Sequence, residues 1–189
     1  RVVRDGAWDP AQCRLVASAA STALAALRDP ATGEASLAAL HPAAEDLLGA
    51  AAYAAVAAMA ARLTDIANEC AAPSPDRTIE SHNGRGGLRY RPAGALLTHV
   101  LGRADAVEVA LGPGGEGGAA RHGYWSAHVD KANVAEYDVS CVLYLSTQES
   151  DFGGGAFAFL EPDGSQSVVA PRAGRALLFG SGLANPHAV

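Results

Sequence analysis

Aromatic side chains are scarce in this sequence. Its 189 residues include 2 Trp, 5 Tyr, 4 Phe and a single Met. The hydrophobic share of 49% therefore rests largely on alanine, a weak core former, and each aromatic calls for a reason. Cysteine is also sparse. Cys13, Cys70 and Cys141 form no CxxC pair, which argues against a cysteine-rich zinc site. Cys13 and Cys70 both fall on expected helices and could pair or remain thiols. Cys141 lies in an apolar run and is expected to be a buried thiol. Basic charge is in short supply, with 14 Lys and Arg against 20 Asp and Glu and a net charge of −6. That balance argues against nucleic acid as a partner, because phosphate binding needs a basic surface. Arg85, Arg89, Arg91 and Arg103 make one local basic cluster, read as a solvated face. Long apolar runs are missing too. The longest, Leu47 to Ala61, is mostly alanine and shorter than the ~20 residues that span a bilayer. It reads as a helix of a soluble protein, with no signal peptide or membrane segment in this stretch. The sequence begins at Arg1 rather than methionine, which leaves room for a targeting segment or anchor ahead of it.

A chain of this length fits one domain, or one domain with a helical extension. It can bury ~70% of its unfolded surface and needs no disulfide staples. The first third reads as helical. Asp9-Pro10 is a capping residue followed by a first-turn proline. Leu15, Val16, Ala19, Ala23, Leu24 and Leu27 make an apolar stripe that Asp29-Pro30 stops. A second helix is expected from Pro42 to Ala72, with Glu45 and Asp46 in its first turn, where the helix dipole favours acids. Tyr53, Val56, Met59, Leu63 and Ile66 recur at spacings of three and four, the period of a buried helix face.

Beyond residue 76 glycine rises and the helical period fades. Strand candidates are 94–103, 106–112, 138–146, 155–161, 167–170 and 175–180, separated by glycine-rich turns. Many short strands suggest a sandwich or barrel. The expectation is an α+β chain with a helical support region over 1–75 and a β core over 76–189, the helices packing on one sheet face.

"SAHVDKAN" (126–133) carries the chemistry. In a strand, residues two apart share a face, so His128 and Asp130 could reach one point. His187 follows the strand "RALLFG". Two imidazoles and a carboxylate suit non-haem Fe(II) with coordination positions left open, rather than a closed structural zinc site. Lys131 alternates away from the two ligands and reads as solvent-facing. His41, His82, His99 and His122 lack metal-like spacing and read as surface or loop histidines. Gly153, Gly154 and Gly155 precede a strand and are expected to serve backbone geometry. Asn185 and Pro186 are expected to set the approach of His187.

An ordered series extends this set: "HVDK" (128–131), "VLYLS" (142–146), "DFGGGAFAF" (151–159), "VAPRAGRALLFGSG" (169–182) and "NPH" (185–187). In this order and spacing the chain resembles the prolyl 4-hydroxylase-type branch of the 2-oxoglutarate- and Fe(II)-dependent dioxygenases, over roughly residues 120–189. Within that branch it looks closest to a subgroup whose members carry a membrane anchor ahead of the oxygenase domain. The resemblance implies a double-stranded β-helix of the jelly-roll or cupin type. It implies Fe(II) held by His128, Asp130 and His187, with 2-oxoglutarate as co-substrate and ascorbate as a helper. It implies hydroxylation of a substrate, such as a prolyl residue of a peptide, by O2, with release of succinate and CO2. A membrane-anchored or luminal location, with the anchor upstream, follows from the same resemblance.

In the family, a tyrosine placed like Tyr144 hydrogen-bonds the far carboxylate of 2-oxoglutarate. Tyr124 and Trp125 precede the ligand strand and are candidates to line the substrate pocket. The family also places an arginine or lysine nine to eleven residues after the distal histidine, a position past Val189. The last strand of the fold is expected there as well, so the sequence reads as a piece of a longer protein. Arg175 is the best local substitute as the anchor, with Arg172 behind it. The competing readings are a catalytically inactive metal-binding jelly-roll module, and an interaction domain with a coincidental His-x-Asp.

Overall fold

A computed structural model describes residues 1–28, 34–70, 89–100, 127–132, 135 and 137–189. Asp9 and Pro10 start the first helix as expected. α1 runs Pro10–Ala26, and the Asp9 carboxylate accepts the Ala11 N–H at 2.7 Å. That bond satisfies one of the donors that a helix start leaves unpaired. Cys13, Val16, Ala20, Ala23 and Leu24 form its buried face.

The single second helix expected from the sequence is two helices. α2 spans Ala43–Leu48 and α3 spans Ala50–Cys70. Gly49 between them has φ +79°, a left-handed conformation that ends a helix and that glycine adopts without a Cβ penalty. The apolar stripe from Tyr53 to Ile66 lies wholly within α3, and the residues on both sides of the break, Leu48 and Ala52, face the same core. At 21 residues α3 is long and apolar enough to cross a membrane by length and composition. Core helices pass the same test, and this one packs on α1 and on the sheet through Val56, Met59, Ile66 and Ala67.

The strands are β1 Val2–Arg4, β2 Glu34–Ala38, β3 Leu96–Val100, β4 Val139–Leu143, β5 Phe157–Leu160, β6 Gln166–Val169, β7 Ala176–Gly180 and β8 His187–Ala188. They pair antiparallel in three sheets ordered β1-β7-β4, β2-β3 and β6-β5-β8. Five of the expected strand regions hold a strand, and the sixth, 106–112, lies outside the described residues. β1, β2 and β8 were not anticipated. β1 and β8 are too short to carry a periodic signal, and β2, though no shorter than β7, is set by its pairing with β3. The α+β class holds, while the described strands do not by themselves trace a complete double-stranded β-helix. The expected boundary at 75/76 falls outside the described residues. β1 pairs with β7 in the register Val2↔Leu178, so the start of the chain joins the sheet of its C-terminal region.

β7 organises the layers. Ala176 and Leu178 face the helices and pack with Ile66 and Ala67. Leu177 and Phe179 face the other sheet and pack with Phe157 and Phe159. A strand covered on both sides reads as a continuous apolar run, as "ALLFG" does. Ile66 and Leu177 are each fully enclosed, worth ~1.5–3 kcal/mol apiece in burial. Cys13 and Cys70 do not pair: Cys13 is buried in the helical core, and Cys70 is an exposed free thiol at the end of α3. Cys141 is half-buried on β4, and burial pushes its thiol up to about 11.

Gly174 ties the N-terminus to this frame. Its carbonyl accepts the Trp8 N–H at 3.3 Å, its φ is +81°, and a Cβ there would sit 2.3 Å from the Trp8 carbonyl oxygen. Gly164 has a similar φ of +83° with nothing within 4 Å of its would-be Cβ. Gly164→Ala should cost the left-handed penalty alone, ~1–2 kcal/mol. Gly174→Ala should lower Tm by at least ~2–4 °C more. Thermal unfolding of the two variants checks this, and equal melting temperatures would mean that the Trp8 contact relaxes without cost.

Candidate metal centre

The two histidines meet through the backbone. His128 N–H donates to the His187 carbonyl and His187 N–H to the His128 carbonyl, both at 2.9 Å. Residues directly opposed in an antiparallel pair project side chains to one face. The imidazole centroids are accordingly 4.4 Å apart.

Asp130 arrives differently from the expectation. The chain around His128 forms an isolated bridge rather than a continuing strand, and Asp130 opens a 3-10 turn, Asp130–Ala132. Strand alternation therefore does not bring Asp130 beside His128. The turn does, with Lys131 N–H donating to the Ser181 carbonyl at 2.9 Å. Asp130 Oδ1 ends 3.7 Å from His128 Nε2 and 3.5 Å from His187 Nε2. One ligand atom from each of the three residues lies within 4.8 Å of the others.

The environment is lopsided. His187 is 3% exposed, while the side chains of His128 and Asp130 are 24% and 25% exposed. Phe157 stacks on the His187 ring at 4.7 Å and 17°, and Phe179 meets it edge-on at 4.9 Å. His187 Nδ1 lies 2.9 Å from the Asn185 carbonyl oxygen. A carbonyl only accepts, so Nδ1 carries the proton and Nε2 keeps its lone pair, as metal ligation requires. Asn185 is itself held, its Nδ2 donating to the Gly180 carbonyl at 2.9 Å, and the Pro186 carbonyl accepts the Leu160 N–H at 2.9 Å. Burial would raise the Asp130 pKa, but the adjacent His187 imidazole, the Ser140 hydroxyl and the His128 imidazole together outweigh it and hold it below the usual value.

Tyr144 follows β4 and packs on the Phe157, Phe159 and Phe179 cluster that encloses His187. Its buried hydroxyl has no hydrogen-bond partner among the described residues, and burial raises its pKa. Arg175 is close enough to oppose that rise slightly. Its guanidinium, however, donates twice to Asp5, at 2.6 and 3.0 Å, and once to the Ala170 carbonyl at 2.9 Å. Arg172 is exposed. Tyr124 and Trp125 lie outside the described residues, as do His82, His122, Arg85 and Arg103. Lys131 is exposed with Nζ 3.5 Å from Asp138. His41 accepts the Ala43 N–H at the start of α2, whereas His99, expected on a surface or loop, is half-buried in β3. Two residues near Asp130 escaped the sequence reading, Ser140 and Ser181. Their signal was slight, a serine at the apolar end of each of two adjacent strands.

With this geometry in place, comparison with known proteins narrows the chemistry. Residues 118–189 match the 2OG-Fe(II) oxygenase superfamily. All three clustered residues lie within that match. The chain is 52% identical over 66 residues to rat 2-oxoglutarate and iron-dependent oxygenase domain-containing protein 3, covering 35% of this chain and 21% of the rat protein. The human protein of that name is 50% identical over 66 residues, covering 35% and 20%. Chicken prolyl 3-hydroxylase 1 is 48% identical over 54 residues, covering 28% of this chain and 7% of that protein. The aligned part thus spans about a fifth of the length of the first two relatives. The superfamily implies Fe(II) and 2-oxoglutarate, with O2 as the other co-substrate. The donor set fits that metal, two imidazoles and one carboxylate being a facial set that leaves positions open.

An unpartnered buried hydroxyl costs ~1–3 kcal/mol. Without ligand, Tyr144→Phe should therefore leave Tm unchanged or raise it by a few degrees. Differential scanning calorimetry of the ligand-free chain reads this directly, and a clear fall in Tm would show that the hydroxyl already has a partner.

Proposed function

We propose that this chain carries the core of a 2-oxoglutarate- and Fe(II)-dependent dioxygenase with a double-stranded β-helix fold. His128, Asp130 and His187 hold the metal, and Tyr144 binds the far carboxylate of 2-oxoglutarate. The observation that carries this reading is the convergence of three ligand atoms within 4.8 Å, between sheets that otherwise bury apolar side chains.

The balanced reaction is substrate C–H plus 2-oxoglutarate plus O2 giving C–OH, succinate and CO2. Bound Fe(II) supplies the O2 chemistry that no side chain can perform. The protein's own groups do the rest. Asp130 brings negative charge to offset part of the metal's, which a third imidazole would not. His187 is fixed by the Asn185 carbonyl and the Phe157 ring, and the phenylalanines keep water from its side of the site. The half-open side, at His128 and Asp130, faces the approach of O2 and substrate. The Tyr144 hydroxyl, without a partner among the described residues, is suited to donate to a carboxylate. Arg175, a second candidate for that carboxylate, would first have to leave Asp5. A prolyl residue of a peptide is proposed as substrate, on the printed name of the chicken relative and on the branch that the motifs resemble. Ascorbate is proposed as the reductant that keeps the iron Fe(II).

Full-length protein should release succinate from 2-oxoglutarate only when Fe(II) and O2 are present, and Asp130→Ala should reduce release to background. Anaerobic Mn(II), an inert stand-in, at a hundred times its Kd should stabilise the fold by ~2.7 kcal/mol, raising Tm by ~5–10 °C. Asp130→Ala should abolish that rise. Tyr144→Phe should weaken 2-oxoglutarate binding ~10–100-fold while leaving Mn(II) binding intact, the loss of a hydrogen bond to a charged group. Metal binding without succinate release would instead make the chain a metal-holding module without turnover.

A further inference from the structure

Among the described residues, Ser181 and His187 are the two buried polar side chains. His187 has its role at the candidate metal centre. Ser181, 1% exposed at the end of an apolar strand, needs another explanation, because a buried hydroxyl is costly unless it is paired. Each polar group of Ser181 has a partner. Its carbonyl accepts the Lys131 N–H at 2.9 Å, which docks the turn that starts at Asp130. Its N–H donates to the Asp138 carbonyl at 3.1 Å, which ties that turn to the start of β4. Its Oγ is 2.8 Å from Ser140 Oγ. Ser140 sits on β4 opposite Phe179, and its hydroxyl lies against the Asp130 carboxylate.

We propose that Ser181 and Ser140 are positioning residues that orient the Asp130 carboxylate for metal binding. The Ser181 hydroxyl donates to Ser140, and the Ser140 hydroxyl donates to Asp130. The inference rests on the metal-binding reading above. Its chemical content is the mode of ligation. A carboxylate binds a metal through one oxygen or two, and the second oxygen occupies a position that a co-substrate would need. Oδ1 is the oxygen that converges on both histidine Nε2 atoms. A hydroxyl held against the carboxylate favours presentation through one oxygen. The device also answers a local problem. Asp130 sits on a turn rather than in a strand, so no ladder fixes its side chain. A hydroxyl borne by the rigid β4–β7 pair does so instead.

The test is anaerobic Co(II) titration of the full-length protein, read by Kd and by visible ligand-field absorption. Ser140→Ala should weaken Co(II) binding ~10-fold, within the range for partners that orient a ligand, and change the absorption envelope. The Ser140→Ala, Ser181→Ala double variant should bind within roughly twofold of Ser140→Ala, because both residues act through one chain of bonds. Ser140→Thr keeps a hydroxyl and should bind within roughly threefold of the unaltered protein. A merely structural serine pair would alter melting without altering the spectrum. Should Ser181→Ala not fold, Ser140→Ala and Ser140→Thr carry the test without it. If the unaltered protein binds Co(II), Asp130→Ala loses it, and both serine variants keep affinity and spectrum, the positioning role is overturned and the metal centre stands. If the unaltered protein binds no Co(II), the metal centre itself is wrong and the inference falls with it.

Discussion

The two hydrogen bonds between the backbones of His128 and His187 are the constraint on which the candidate site depends. They join residues 59 apart in sequence, so neither imidazole finds the other without the tertiary fold. Once paired, the rings share a face because opposed residues of an antiparallel pair must. Asp130 is two residues from one member of the pair, and a second long-range contact, from the Lys131 N–H to the Ser181 carbonyl, docks its turn.

That pair is held where it is by β7 and its neighbours. β7 is covered by helices on one face and by the second sheet on the other, so its position is set from both sides. β5 pairs with β8 in the register Phe159↔His187, which puts the histidine in the gap between the sheets. Phe157, Phe159 and Phe179 fill that gap. In a chain with 4 phenylalanines, three surround one histidine. The helices do the complementary work with small side chains. Alanines let α1, α2 and α3 approach closely, at the expense of the apolar area that larger residues would bury.

The site has a rigid side and an open side. His187 is enclosed, stacked and fixed in tautomer, while His128 and Asp130 border solvent. A donor set held firmly at one corner and open at another suits a metal that must keep its ligands and admit co-substrates. Tyr144 extends the same logic. Its hydroxyl is buried beside the aromatic wall with no protein partner among the described residues, an arrangement that a bound carboxylate would complete.

Much of this was legible in the chain itself. Asp9-Pro10 marks a helix start by local capping chemistry, and "RALLFG" reads as a strand from its apolar run. The three residues that the structure clusters, His128, Asp130 and His187, could be named from residue types and motif order. Local rules failed where partners decide structure. Gly49 divides what was expected as one helix, β1 is too short to signal without β7, β2 is set by its pairing with β3, and His128-Val-Asp130 is a bridge and a turn rather than an alternating strand. Sequence alone determined which side chains could serve as ligands, since that is a matter of chemical type. Tertiary structure alone decided that His187 Nδ1 faces the Asn185 carbonyl, that Arg175 pairs with Asp5, and that the Ser140 and Ser181 hydroxyls meet. The last two are facts of distance between segments remote in sequence, and no local spacing encodes them.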